Sequence, residues 1–407
     1  MLLSAYTIRE RIFTMLYSLA LIFLCGFLLA GIAEKLHLPR LLGMLITGML
    51  LGPYLLGLLD EKILLISPDL RQIALIIILL RAGLNLDLAA LRRVGRPALL
   101  LCFVPALVEI TATIGLAPRL LGVSFVDAAI FGSVIAAVSP AVIVPKMLKL
   151  SEEGYGTNKA IPQMIMAGAS VDDVFVIVLF TAFCSLVQGQ RIDMGTFVTI
   201  PVSIVLGIVV GVLCGFILSI LFKRIHTRDS NKVLLFLSIS FLLVTLEKSL
   251  ATVVSFSGLL AVMSMGAAMT FQNPFVGTRL SSKFSKLWVG AELLLFVLVG
   301  ASVNIEFAFA LGWSAVLLIL LVLVFRVIGV LFCLVGTPLN WKERFFCAIA
   351  YCPKATVQAA IGAIPLGMGL SCGNTVLTVA VLAILITAPL GAFLIDVTYQ
   401  KLLTNSK

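Results

Sequence analysis

Charged residues are scarce in this chain of 407 residues, since Asp, Glu, Lys and Arg make up only 12% of it. Soluble globular domains carry about 25% charged residues, so this composition excludes a soluble protein. The sequence also lacks a long polar insert between its apolar segments, which excludes a large domain outside the membrane. What it has in abundance is apolar side chains, 61% of all residues, with a mean hydropathy of +1.19.

Histidine is rare and cysteine is never clustered. There are two histidines, and the eight cysteines stand singly in apolar segments without a CxxC pair. This pattern favours small core residues over metal ligands, and no cofactor is expected. The first apolar run is long and lacks a small-residue cleavage site, so it is interpreted as a membrane helix rather than a signal peptide.

Apolar stretches of about 18 or more residues recur along the whole chain, and each is long enough to cross a bilayer. The pattern predicts an all-α polytopic membrane protein with about 13 transmembrane helices. The stretches are 13–33, 38–59, 69–86, 96–117, 124–149, 159–188, 195–222, 232–249, 254–271, 284–303, 307–335, 343–367 and 373–397. Because the connections are short, the chain 1–407 is expected to form a single integral-membrane domain.

The net charge of +10 is explained by the side of the membrane on which basic residues lie, and no nucleic acid partner is expected. With the N-terminus outside, the cytoplasmic loops and tail hold 19 Lys and Arg residues, and the opposite side holds seven. Cytoplasmic loops are enriched in Lys and Arg in this way. The sequence therefore predicts an outside N-terminus and a cytoplasmic C-terminus, with membrane lipid around the helices.

Two apolar stretches carry prolines at positions where a helix is expected to break. "AVSPAVIVPKML" (137–148) contains Pro140 and Pro145, and "YCPKATVQAAIG" (351–362) contains Pro353. A proline inside a helix removes a backbone hydrogen bond and clashes with the preceding turn. The two stretches are seven helices apart, so they cross the membrane in opposite directions. This predicts two inverted repeats, helices 1–6 and 8–13, whose discontinuous helices meet at the midplane around an ion site.

Helix 7 would join the two repeats, and it has its own pattern. In "GIVVGVLCG" the glycines Gly207, Gly211 and Gly215 recur every four residues. Small residues at this spacing let two membrane helices approach closely. The sequence therefore predicts a tight helix contact along this face.

The stretch "GASVDDVFVIVLF" (168–180) places Asp172 and Asp173 side by side, halfway along the sixth apolar stretch and without a counter-charge within ten residues. A carboxylate at this depth costs roughly 3 kcal/mol even on the lenient insertion scale, and such acids mark ion pathways. Neighbours on a helix point about 100° apart, so one acid can face a wet cavity while the other braces against a neighbouring helix. A structural alternative is that one acid pairs with a base and the other stays protonated.

Five further charged residues of the apolar stretches need an explanation, namely Glu109, Arg326, Lys354, Arg81 and Glu292. Glu109 and Arg326 each lie on the helix before a broken helix, in nearly equivalent places of the two repeats, and are expected to form a buried pair. Lys354 follows Pro353 and is expected to offset the carbonyl end of a half-helix. Arg81 is interpreted as near the cytoplasmic interface, and Glu292 is left without a partner.

Several of these motifs together closely resemble one family. "GASVDDVF", "VSPAVIVPKML", "PKATVQAAIG", "LLRAGLNLD" and "FSGLLAVMSMGA" are similar to the bacterial NHA branch of the cation:proton antiporter superfamily, in its monovalent cation:proton antiporter-2 group. The resemblance implies an NhaA/NapA-like fold with crossed discontinuous helices, a homodimer, and exchange of Na⁺ or Li⁺ for H⁺ by alternating access. It also implies a dimerisation part (about 1–94 and 232–305), a linker helix (195–222) and a moving core (95–190 and 306–398).

The resemblance also assigns roles to residues. It implies that Asp173 binds the ion or the proton, that Asp172 is its partner, and that Ser139 and Thr356 supply further oxygen ligands for Na⁺ or Li⁺. Electrogenic members have a lysine where this chain has Arg326. Arginine keeps its proton in proteins, so the departure predicts an electroneutral exchange.

Three alternatives remain at this point. The first is K⁺/H⁺ exchange, because related families share the aspartate. The second is an intramembrane aspartyl protease, although those enzymes take their two acids from different helices and "SVDD" is not their GxGD motif. The third is a non-transporting sensor built on a transporter fold. The compact loops favour a bacterial inner membrane as the location.

Overall fold

The structure is a computed structural model that describes residues 14–86, 95–187, 194–225, 227–250 and 256–405. These residues form helices joined by short turns, with one isolated β-bridge between Tyr155 and Asn405. In chain order the helices are α1 (Met15–Lys35), α2 (Arg40–Leu51), α3 (Glu61–Leu65), α4 (Ser67–Leu84), α5 (Arg96–Leu101), α6 (Val104–Leu121), α7 (Phe125–Ile135), α8 (Pro140–Glu153), α9 (Ile161–Val187), α10 (Met194–Arg224), α11 (Asp229–Leu250), α12 (Gly258–Gln272), α13 (Pro274–Ala301), α14 (Ile305–Cys333), α15 (Trp341–Ala350), α16 (Thr356–Ile361), α17 (Ile364–Gly367) and α18 (Gly373–Leu402).

The helices follow the apolar stretches of the sequence. Among the described residues, nine helical segments are long and apolar enough to cross a membrane, and α2, α12 and the segment 356–367 are shorter apolar helices. The predicted stretch 69–86 corresponds to α4, which has 18 residues. The protein is therefore an all-helical membrane protein, as predicted. Residues 1–13, 87–94, 188–190 and 251–255 of the predicted parts lie outside the described residues.

Two predicted stretches are less regular than expected. The stretch 38–59 is helical only over α2, because the chain turns at Gly52 and the next residue, Pro53, cannot continue a helix. The stretch 96–117 is divided into α5 and α6 at Cys102 and Phe103, just before Pro105. In both cases a proline ends the helix within an apolar run that has enough residues to cross the membrane.

The helices pack in two groups. In one group α13 packs against α2 and α4, and α12 packs against α4 and α10. In the other group α6 packs along α7 and α14, α9 packs against α5, α7 and α8, and α18 packs against α14 and α15. The groups meet where α16 touches α4 and α13 and where α9 touches α12. This boundary passes beside the acids of α9.

The glycine stripe of α10 lies against α12. A methyl group at Gly207 would lie 2.7 Å from the Ser257 carbonyl oxygen, and one at Gly215 would lie 2.5 Å from that of Met265. At Gly211 it would lie closer still to the Ala261 carbonyl. Only hydrogen side chains allow the two backbones to approach this closely, so the predicted tight contact is present.

The two proline-bearing stretches are discontinuous and touch at their breaks. The first breaks between α7 and α8 over residues 136–139, and the second between α15 and α16 over residues 351–355. The Ser139 amide donates a hydrogen bond to the Pro353 carbonyl at 2.8 Å. The two breaks are therefore joined by a direct backbone hydrogen bond.

Pro145 is not part of the break, which corrects the sequence interpretation. Pro140 occupies the first position of α8, where a proline is favoured because no intrahelical N–H bond is needed there. Pro145 lies further along α8, where it removes one backbone bond without ending the helix. Pro140 therefore marks the end of the first break, and Pro353 lies within the second.

Candidate ion and proton site

The break in the first discontinuous helix leaves carbonyl groups that the helix itself cannot satisfy, and side chains of other helices donate to them. Lys354 Nζ donates to the Ile135 carbonyl, and Arg326 Nη1 donates to the Ala136 carbonyl. Gln358 Nε2 donates to the Ala137 carbonyl at 2.8 Å. The predicted role of Lys354 at a carbonyl end is thus present, and it acts on the end of α7. All these groups are buried, where an unpaired carbonyl would cost about 1–3 kcal/mol.

Asp172 is fully buried and held from two sides. Its Oδ2 accepts a hydrogen bond from the Val138 amide at 2.8 Å and lies 3.1 Å from Arg326 Nη2. The carboxylate therefore joins α9 to the break of α7–α8 and to α14. This matches the expectation that one of the two adjacent acids braces against neighbouring helices.

Glu109 and Arg326 form the buried ion pair that the sequence predicted. Arg326 Nη1 lies 2.8 Å from Glu109 Oε2, and both side chains are fully buried. Sequence reasoning missed two further bonds. Lys354 Nζ lies 2.6 Å from Glu109 Oε1, and Arg326 Nε donates to the Tyr351 carbonyl at 2.6 Å. The guanidinium of Arg326 is therefore engaged through all three of its nitrogens.

Asp173 points away from this network. It lines a small pocket between the two helix groups, together with Leu75 and Leu79 of α4, Met263 of α12 and Thr356 of α16. Its Oδ1 is shielded from solvent and has no hydrogen-bond partner among the described residues. The two adjacent acids thus have different surroundings: Asp172 is held through its Oδ2 by an arginine and a backbone amide, while its Oδ1 has no partner among the described residues, and Asp173 lines a pocket.

Two hydroxyl groups near the two helix breaks also lack a hydrogen-bond partner among the described residues. Ser139 is the residue before the first turn of α8, a position where a serine side chain normally accepts a hydrogen bond from the helix. Its side chain makes no such bond, and neither Ser139 Oγ nor Thr356 Oγ1 has a partner among the described residues. Both side chains are buried. The region therefore offers hydroxyl and carboxylate oxygens, which are the ligands that hard cations prefer.

A cleft lies beside the pocket of Asp173. It has a volume of about 430 Å³, and its lining includes Asp69 at the start of α4, Thr181 towards the end of α9 and Glu247 towards the end of α11. The cleft and the Asp173 pocket share Leu75 and Ala360 in their linings. The cleft and the Asp173 pocket therefore lie next to each other.

Glu292 of α13, which the sequence left without a partner, has basic neighbours in its own helix group. It interacts electrostatically with Arg40 and Arg81. Arg40 also lies 3.7 Å from Glu34. These residues are not part of the site around Asp173.

Two broken helices that touch beside a pair of adjacent acids are typical of one class of protein, the secondary ion transporters with discontinuous helices. Residues 19–400 match the profile of the family described as "Sodium/hydrogen exchanger, transmembrane". The chain belongs to this family of cation:proton antiporters, whose members are transporters and not enzymes.

Curated relatives agree with this assignment. The chain is 33% identical over 386 residues to sodium/hydrogen exchanger 9B2 of Mus musculus, covering 91% of this chain and 69% of that protein. It is 32% identical over 388 residues to sodium/hydrogen exchanger 9B1 of Homo sapiens, covering 90% of this chain and 73% of that protein.

A solved structure has the same fold. The sodium proton antiporter MjNhaP1 from Methanocaldococcus jannaschii at pH 8 superposes with a TM-score of 0.82. The match covers 94% of this chain and 97% of that one, with 22% sequence identity. At this identity the likeness shows the fold alone.

Proposed function

We propose that the protein exchanges Na⁺ or Li⁺ for H⁺ and that Asp173 binds either the cation or the proton. The observation that carries this proposal is the contrast between the two adjacent acids. Asp172 is held through its Oδ2 by Arg326 and the Val138 amide, whereas Asp173 lines a pocket between the two helix groups. The Oδ1 atoms of both acids have no partner among the described residues. A carboxylate that no protein group neutralises can take up one cation or one proton, and the two compete for it.

Ser139 and Thr356 are proposed as additional cation ligands, because both hydroxyls are buried and unused among the described residues. Asp172 would complete the set as the fixed partner of Asp173. Na⁺ and Li⁺ carry the same charge as a proton, so the site can hold either cargo without a change in its surroundings. Glu109, Arg326 and Lys354 supply the charge balance around the site.

The charge count of the buried cluster supports an electroneutral exchange. Asp172, Asp173 and Glu109 contribute three negative charges, and Arg326 and Lys354 contribute two positive charges, which leaves a formal charge of −1. One Na⁺ or one H⁺ brings this sum to zero. Buried uncompensated charge is costly, so the cluster favours single occupancy by either cargo.

The position of the pocket between the two helix groups supports an alternating-access mechanism. We propose that the group containing α5–α9 and α14–α18 is the moving core, and that the group containing α1, α2, α4 and α11–α13 is the dimerisation part. The helix α10 would be the linker. Two inverted repeats, about 13 membrane crossings and a homodimer complete the proposed architecture. The exposed apolar face of α1, with Leu24 and Leu28, is compatible with either lipid or a second copy.

The proposed orientation places the N-terminus outside and the C-terminus in the cytoplasm. The cleft beside the Asp173 pocket then opens to the outside, because the start of α4 and the ends of α9 and α11 lie on that side. The relatives described above come from vertebrates and an archaeon, and the bacterial inner membrane remains a prediction from the sequence.

The decisive experiment is ion flux in proteoliposomes containing the purified protein and a pH-sensitive dye. Imposed gradients of Na⁺, Li⁺ and K⁺ should be compared at equal ionic strength, with choline as the control cation. We expect proton movement driven by Na⁺ and Li⁺. Proton movement driven by K⁺ alone would assign K⁺/H⁺ exchange, and the absence of flux with every cation would favour a sensor.

A further inference from the structure

One peptide unit at the break of α7–α8 is held at both of its edges. The carbonyl of Ala137 accepts a hydrogen bond from Gln358 Nε2 at 2.8 Å. The amide of Val138, which belongs to the same peptide unit, donates to Asp172 Oδ2 at 2.8 Å. Because a peptide unit is planar and rigid, its N–H cannot turn without its C=O. Gln358 and Asp172 are therefore mechanically linked through this one unit.

Gln358 is an unusual residue for its location. It is fully buried in the first turn of α16, and its side chain carries no charge. The same Nε2 also donates to the Ile135 carbonyl at 3.3 Å. Its neighbours Val357 and Ala360 line the pocket of Asp173, but Gln358 faces the end of α7 instead. Its side chain therefore joins the second discontinuous helix to the first without lining the pocket itself.

Other residues cannot replace this contact. Lys354 satisfies the Ile135 carbonyl and Arg326 satisfies the Ala136 carbonyl, but the Ala137 carbonyl has Gln358 as its side-chain donor. A donor on the carbonyl also polarises the peptide and strengthens its N–H as a donor to Asp172. Loss of Gln358 would leave a buried carbonyl unpaired, and the peptide would turn to satisfy it at the expense of Asp172.

We infer that Gln358 is a positioning residue of the ion site, which orients the 137–138 peptide and thereby fixes Asp172 beside Asp173. This inference rests on the proposed function, because it assigns a role within the cation site. Through the same bond, movement of the second broken helix is transmitted to the acid that flanks the ion-binding carboxylate.

The test is Na⁺-driven proton flux of Gln358→Met in proteoliposomes. Methionine keeps the length and volume of the side chain and removes both N–H donors. We expect the KM for Na⁺ to rise about tenfold, the change that follows from weakening one hydrogen bond to a charged group, with a smaller change in kcat. Ser133→Ala is the matched control, because Ser133 is buried in α7 and donates to the Ile130 carbonyl of its own helix. Its KM should stay at the wild-type value.

A double mutant separates positioning from a general loss of stability. In an Asp172→Asn background, Gln358→Met should add little to the change in KM, because both substitutions act on the same link. Gln358→Glu serves as the second variant if Gln358→Met does not fold, and it should raise the KM at least as much. An unchanged KM in a well-folded Gln358 variant, or full additivity with Asp172→Asn, would overturn the inference. Absence of flux in the wild type would instead contradict the proposed function.

Discussion

At the scale of single residues, the two adjacent aspartates differ because their helix directs them to different neighbours. Asp172 meets an arginine and a backbone amide, and Asp173 meets a pocket. Adjacent positions about 100° apart on one helix make this difference unavoidable. The two residues should therefore respond differently to the same substitution.

Asp173→Asn should abolish Na⁺-driven proton flux while the protein remains folded, because asparagine keeps the shape but cannot exchange a proton. Asp172→Asn should reduce the flux without abolishing it, because its role is support. Flux in proteoliposomes, with size-exclusion profiles as the check on folding, measures both. If Asp172→Asn alone removes transport, the two roles have been assigned in the wrong order.

Substitutions in the buried network of charges should also lower the thermal stability of the protein. Removing one partner of a buried ion pair costs about 3–5 kcal/mol, because the other charge remains uncompensated. Arg326→Ala should lower thermal stability in detergent more than Glu109→Ala does. Arg326 contacts two carboxylates and two backbone carbonyls, whereas the loss of Glu109 leaves Arg326 with Asp172 and Lys354 with the Ile135 carbonyl.

A double mutant provides the check on this network. Glu109→Ala combined with Arg326→Ala should lose less stability than the sum of the two single changes. The exposed pair Lys149–Glu153, at 3.7 Å, is the control. Its single substitutions should each change stability by about 0–1 kcal/mol. Strict additivity at Glu109 and Arg326 would mean that their contact does not contribute to folding.

At the scale of helices, the close approach of α10 and α12 depends on hydrogen side chains. A methyl group at Gly211 would collide with the Ala261 carbonyl, which belongs to the backbone and cannot rotate away. Gly211→Ala should therefore destabilise the protein by about 1–3 kcal/mol through overpacking. Gly290→Ala is the matched control, because a methyl group there meets nothing within 4 Å among the described residues. Thermal unfolding in detergent measures both, and equal stability of the two variants would count against the tight contact.

The helices could be predicted from the sequence where a single property, such as apolar length or a proline, determines the local structure. Apolar length predicts the membrane helices, and Pro140 and Pro353 predict the two breaks. Pro145 was assigned wrongly because a proline in sequence does not show whether the chain can tolerate it within a helix. The helix α2 was predicted too long because hydropathy alone does not register Gly52, where the helix ends.

The site could be predicted only in part for a related reason. Charges are conspicuous in apolar runs, so Asp172, Asp173, Glu109 and Arg326 are identifiable from the sequence alone. Which charge meets which depends on tertiary packing, and the contacts of Arg326 with Asp172 and of Lys354 with Glu109 were therefore missed. Gln358 lies in the motif PKATVQAAIG and carries no charge. Only its hydrogen bond to the Ala137 carbonyl, at the break between α7 and α8, indicates a role for it.

At the scale of the whole molecule, the two discontinuous helices bring four buried charged residues together beside Asp173, namely Glu109, Asp172, Arg326 and Lys354. Arg326 is bound to Glu109, Asp172 and two backbone carbonyls, and an arginine does not release its proton in proteins. It therefore acts as a fixed charge through the transport cycle. In the proposed function, the stoichiometry depends on the formal charge of the whole cluster, which is −1 with Asp173 included.

One Na⁺ should accordingly exchange for one H⁺ without net charge movement. The measurement is current on a solid-supported membrane, with proton flux followed in parallel, and Asp173→Asn proteoliposomes provide the background. We expect robust Na⁺-driven proton flux, no sustained current, and no dependence of the flux on an imposed potential. A sustained, potential-dependent current would mean that a second proton is carried. Lys354 would be its source to examine first, through Lys354→Gln, because it is the one cation of the cluster that is able to lose a proton.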